Sequence, residues 1–145
     1  MFITTGFYWD QDEQTRAFSR RYFERTKKMP TMMQAAVYSA VLHYLKAIKA
    51  AGTDDAQAVM AKMKATEVND AVVRKGKIRD DGRLVHDMML VQVKTPDESP
   101  RACDVYTLKQ VIPGDHAFPS LAQSSCSSIK YSSRYDSCFR LFTKC

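Results

Sequence analysis

The spacing of apolar positions changes along the chain, and the changes predict the order of its elements. Residues 2–9 are β-branched and aromatic with one glycine, the composition of a strand interrupted at Gly6. From about Gln11 to Lys28 the spacing is helical. Phe18 and Tyr22 lie four apart, Asp10 and Glu13 have the spacing of a capping box, and Pro30 disfavours continuation past Met29. Thr31 and Gln34 offer a second capping box. Behind it Met33, Val37, Ala40, Val41, Tyr44, Leu45 and Ile48 recur at three- and four-residue steps. This long helix is expected to turn that stripe to the core and to stop at Gly52. A shorter helix starts at Thr53-Asp54-Asp55, with Ala56, Val59, Met60 and Met63 expected to face inward.

Beyond about Thr66 the pattern becomes extended. Asp80-Asp81-Gly82 between two short β-like stretches predicts a hairpin. Residues 87–94 and 105–112 are two further strand candidates, joined by a polar, proline-containing connection over residues 95–104. The order of one strand, three helices and then several strands predicts an α/β or α+β chain without internal repeats. The longest apolar runs, such as Met88-Met89-Leu90-Val91, fall far short of the roughly 18 residues of a membrane-spanning helix.

Composition agrees with a globular chain: of 145 residues, 45% are apolar and 26% charged, which excludes the disordered and collagen-like classes. The net charge of +6 invites a nucleic-acid reading, but its location weakens that. Residues 1–123 carry only +3, and the last 22 residues carry the other +3. That segment also holds Cys126, Cys138 and Cys145 among seven serines, so a boundary is predicted near residue 124. The first six residues lack the basic start and apolar stretch of a secretory leader, so no export address is expected within the chain as written.

Catalytic and cofactor chemistry finds little support. His43, His86 and His116 are widely spaced and no Cys-x-x-Cys unit accompanies them, so no metal is expected. Cys103 with His86 could form a nucleophile pair only if folding brought them together, and neither carries a family signature. No glycine-rich phosphate cradle occurs, so neither a nucleotide nor any other cofactor is expected. Arg16, Arg20, Arg21 and Arg25 alternate with Phe18, Tyr22 and Phe23 in a way that could grip nucleic acid. Asp10, Asp12, Glu13 and Glu24 offset much of that charge, which favours a solvated helix face. Asp80, Asp81 and Asp87 would offer paired carboxylates for acid/base work, but Asp80-Asp81-Gly82 reads first as a turn.

Two places are better candidates for ligand contact. Phe7-Tyr8-Trp9 ends a strand that enters a helix, the position where α/β proteins place ligands. Trp9, the only tryptophan, suits the wall of an apolar pocket. Met33 and Gln34 open the long helix, whose N-terminus favours carboxylates. The plainer reading there is that Met33 packs and Gln34 caps.

Taken together, Phe7-Tyr8-Trp9-Asp10, Arg16-Ala17-Phe18, Met29-Pro30-Thr31, Gln34-Ala35-Ala36-Val37-Tyr38-Ser39-Ala40-Val41 and Ala50-Ala51-Gly52-Thr53 resemble a known family. It is that of the type I periplasmic solute-binding proteins of the leucine/isoleucine/valine-binding group. Gly76-Lys77-Ile78-Arg79-Asp80-Asp81-Gly82-Arg83, Val85-His86-Asp87, Val91-Gln92-Val93-Lys94 and Ile112-Pro113-Gly114-Asp115 continue the likeness in the same order, over about residues 5–126. The resemblance implies the C-terminal portion of a two-lobed α/β receptor of an ATP-driven importer. Such a receptor is not an enzyme and uses no cofactor. It closes over an amino acid or small organic acid and presents the closed form to a membrane permease, in the periplasm. Residues 1–123 would then hold pieces of both lobes and the crossings between them. Met33 and Gln34 would lie near the cleft, with Tyr8 and Trp9 beside an interlobe crossing.

Residues 124–145 depart from the family and are expected to be an irregular Ser/Cys-rich basic tail. Four cysteines allow three full pairings, and the sequence does not choose among them. The reading that competes with a solute receptor is a basic nucleic-acid or protein-interaction module, and it rests on charge alone.

Overall fold

A computed structural model describes residues 1–126. Strands β1 (Phe2–Thr5), β4 (Met88–Val93) and β5 (Tyr106–Ile112) form an antiparallel sheet in the order β1-β4-β5, so β4 lies between the first strand and the last. Phe2 pairs with Gln92, and a register shift between Leu90 and Val91 marks a bulge against β5. The small hairpin of β2 (Lys77–Ile78) and β3 (Leu84–Val85) turns where expected. Gly82 adopts φ 78° there, a left-handed conformation that glycine takes without strain. A one-turn helix α4 (Gly114–Ala117) follows β5.

Three helices fill the chain between β1 and the hairpin: α1 (Glu13–Thr26), α2 (Met32–Ala51) and α3 (Ala56–Ala65). Local chemistry sets their ends. Thr31 and Gln34 form the expected capping box of α2, and Gly52 closes it in the left-handed conformation at φ 68°. Helix α1 starts two residues later than the sequence suggests. Its N-cap is Asp12, whose carboxylate accepts the Gln14 and Thr15 amides, and Thr15 completes the box by accepting the Asp12 amide. Asp10 is drawn instead into ion pairs with Arg16 and Arg101. Two competing acidic residues at the same boundary explain the shift.

The core sits in two clusters joined by residues 7–9. Phe7 packs with Phe18 and Ala35 on the helical side, its ring edge-on to Phe18 at 5.8 Å between centroids. Tyr8 points the other way, onto Met89 and Val91 of the sheet, while Trp9 touches both clusters. Alternation of side chains along an extended segment produces this division.

The face that α2 presents to this core is not the predicted one. Ala35, Ser39, His43 and Ala47 are buried, whereas Met33, Val37, Val41, Tyr44 and Leu45 are exposed. Small residues let α2 approach its neighbours closely, with Ser39 donating to Asp70 at 2.6 Å and the His43 ring held against the Met63 carbonyl. In α3, Val59 is buried as expected, but Met60 is exposed. Among the described residues, no helix is long and apolar enough to cross a membrane. Of the predicted tail only residues 124–126 are described; the remainder, with Cys138 and Cys145, lies outside the described residues.

Candidate functional site

The chain leaves β1 at Thr5 and enters α1 after a short turn, and this turn meets the start of α2. Pro30 is buried and Thr31 caps, so the first turn of α2 is fixed beside Thr5, Tyr8 and Trp9. Between these elements lies an open cleft of about 420 Å³, lined among others by Thr5, Tyr8, Trp9, Met32, Cys103 and Tyr106. The walls are mainly aromatic and aliphatic, and the Thr5 hydroxyl reaches the Met32 sulfur at 3.6 Å.

The far wall is held by residues nearly a hundred positions away. The Tyr8 hydroxyl donates to Asp104 Oδ1 at 3.3 Å, and Lys94 Nζ donates to the same oxygen at 2.7 Å. Trp9 Nε1 donates to the Cys103 carbonyl at 2.7 Å. The Tyr8 ring also stacks at a tilt on Tyr106, 5.4 Å away. Burial, foremost, pushes the Tyr8 hydroxyl up to about 12, so it stays neutral and serves as a donor. The Lys94 ammonium, hydrogen bonded to it, holds the Asp104 carboxyl below its ordinary value.

Tyr8 and Trp9 therefore lie together in the cleft wall, beside Met32. Met33 and Gln34 are placed differently. Met33 is on the exposed face of α2, and Gln34 Oε1 accepts the Thr31 amide at 2.9 Å. Met32 was accessible to sequence reasoning, because a Thr31 cap makes it the first helical residue; Cys103 and Asp104 carried no local signal.

The remaining candidates do not assemble chemistry. His86 lines a separate cavity of about 180 Å³ with Gly6 and Arg74, whereas Cys103 borders the Tyr8–Trp9 cleft. Asp81 is paired with Arg79 within its own turn. Among the cations of α1, Arg16 and Arg20 are paired with Glu13, and Arg16 also with Asp10. Among the described residues there is no cluster of His, Cys, Asp and Glu suited to a metal.

Comparison with known proteins agrees with this architecture. A periplasmic binding protein from Burkholderia mallei is 43% identical and superposes with a TM-score of 0.84, covering 87% of this chain and 33% of its own. A branched chain amino acid ABC transporter periplasmic ligand-binding protein from Burkholderia xenovorans is also 43% identical, with TM-score 0.84 and coverage of 88% and 34%. A leucine binding protein, LivK, from Thermotoga maritima shares the fold at TM-score 0.62 and 22% identity, over 79% of this chain and 31% of its own. The chain thus spans about a third of the length of these solved relatives. No curated protein matches it. The family model described as periplasmic binding protein matches residues 1–99, more than half of the sequence, and the chain belongs to that family.

Proposed function

We propose that the chain supplies part of a solute-binding receptor of an ATP-driven importer, and that residues 1–123 contribute one wall of the site for an amino acid or small organic acid. The reading rests on one juxtaposition: the Tyr8–Trp9 turn faces the first turn of α2 across an open apolar cleft. The neighbour from Burkholderia xenovorans, named as a branched chain amino acid ABC transporter periplasmic ligand-binding protein, supports an amino acid as the ligand class of this reading. An aliphatic side chain suits Trp9, Tyr106 and Met32, and a carboxylate suits the α2 N-terminus. Met33 and Gln34 belong to the same first turn, where Gln34 holds the cap and Met33 stands on the exposed side of the helix.

The function needs no bond to be made or broken. A solute that touches two lobes favours their closed arrangement by its differential affinity, and the closed receptor, in the periplasm, is what a membrane permease would engage. The test uses the chain joined to the two thirds of the Burkholderia xenovorans protein that it does not span. Calorimetric titration with leucine, valine and glutamate is expected to show micromolar binding of at least one. Trp9→Ala and Met32→Ala should each weaken that binding about tenfold, the loss of one apolar contact surface. Binding unchanged by both substitutions would refute the assignment of the cleft.

A further inference from the structure

Met29 and Met32 flank Pro30 and Thr31, the buried proline and the cap that fix the entry to α2. Both line the cleft of about 420 Å³, and Cys103 lines it with them from the β4–β5 connection. Trp9 Nε1 donates to the Cys103 carbonyl at 2.7 Å, which holds that connection against the wall. Met32 is 46% exposed and Cys103 is exposed, so these sulfurs are open to a solute from outside.

We infer that Met29, Met32 and Cys103 form a soft-metal site in this cleft, a thiolate with two thioethers that takes Cu(I). Thioethers are poor ligands for hard cations and good ones for Cu(I), and this donor set contains no His, Asp or Glu. Charge selects the ion further. Among the described residues, no Asp, Glu, Lys, Arg or His lines the cleft, so a bound complex must be close to neutral. Cu(I) with one thiolate and two thioethers carries no net charge, whereas a divalent ion on the same ligands would leave a positive charge among apolar walls. The flexible methionine side chains can turn their sulfurs to the ion while Pro30 and Thr31 stay fixed. Binding forms Cu–S bonds and breaks the Cys103 S–H bond, whose proton leaves to water; no electron is transferred. The inference does not rest on the solute reading, since it needs only this wall of the cleft.

Trp9 is the only tryptophan and lines the same cleft, so its emission reports this site alone. The test is an anaerobic titration of the 145-residue chain with Cu(I) buffered by bicinchoninate, without solute. Cys126→Ser, Cys138→Ser and Cys145→Ser are present throughout, so that Cys103 is the remaining thiol. Quenching of Trp9 that saturates at about one equivalent is expected, with a first shell of sulfur alone at the copper X-ray absorption edge. Met29→Leu and Met32→Leu keep the side-chain volume and should each weaken binding about tenfold or more, while Met60→Leu, on α3, should leave it unchanged. Cys103→Ser should abolish it. Trp9 emission indifferent to Cu(I), nitrogen or oxygen in the copper shell, or binding undiminished in both Met29→Leu and Met32→Leu would each overturn the inference.

Discussion

The Tyr8 hydroxyl donates to Asp104 Oδ1 at 3.3 Å, joining the turn after β1 to the end of the β4–β5 connection across 96 residues of sequence. Lys94 reaches the same carboxylate oxygen, and Trp9 is bonded to the neighbouring Cys103 carbonyl. These contacts fix one wall of the cleft. Tyr8→Phe keeps the ring on Met89 and Val91 and removes only the donor, so a loss of about 1 kcal/mol is expected in denaturant unfolding. Tyr8→Ala, which also empties the packing site, should cost about 3 kcal/mol or more. Equal effects of the two substitutions would show that the hydroxyl contributes most of what the side chain does.

The same hydroxyl predicts an alkaline limb. Its value is raised to about 12, above the ordinary tyrosine value of about 10. The fold therefore has its full stability below pH of about 10 and loses part of it as pH rises through about 12, because the unfolded chain ionises first. Tyr8→Phe should flatten this limb. Spectrophotometric titration should show one tyrosine ionising later than the rest in the parent, and that late step should vanish in the variant.

Asp12 sets an acidic limb of opposite sign. The Arg74 guanidinium, with the amides of the α1 cap, lowers its carboxyl to about 2. That contribution is present above about pH 4 and is lost as pH falls through about 2. Asn is as good an N-cap as Asp, so Asp12→Asn should keep α1 while making the acid dependence shallower by the share that Asp12 contributes. Asp12→Ala should cost about 1 kcal/mol more than Asn at neutral pH. An unchanged acid limb in Asp12→Asn would place the dependence elsewhere.

The two faces of α2 predict contrasting substitutions. Ala35 is fully buried against Phe7 and Phe18, so Ala35→Leu should overpack that cluster and cost about 1–3 kcal/mol. Val37→Ser, on the exposed face, should change the stability of the 145-residue chain by no more than about 0.5 kcal/mol. Thermal unfolding of both variants checks the pair, and a reversed order would restore the face that periodicity suggests.

That face is the clearest case of what the sequence does not disclose. Periodicity marks Met33, Val37, Val41 and Leu45 as one apolar row, and it does so correctly. It does not say whether the row meets this part of the chain or another, and the row that packs here is made of Ala35, Ser39, His43 and Ala47, residues too small or too polar to stand out. Features decided within a few residues were legible: the Thr31–Gln34 box, the Gly52 stop, the Asp80–Gly82 turn and the strands β4 and β5. The family was legible too, because its short motifs are collinear over most of the chain. Of the cleft, the Tyr8–Trp9 wall was found from its place at a strand end. The Asp104 and Cys103 contacts were not, since nothing local to residues 103–104 points to partners so far away in sequence.

The central claim, that this chain is one part of a solute receptor whose site needs the rest of the receptor, is met most directly by paired calorimetric titrations with aliphatic, aromatic and acidic amino acids. The 145-residue chain alone is predicted to give no specific heat of binding, since a ligand touching one wall buries too little surface to offset its ordering cost. The chain joined to the two thirds of the Burkholderia xenovorans protein that it does not span is predicted to bind one class with micromolar affinity. Micromolar binding by the chain alone, or no binding by the folded joined protein, would contradict the account.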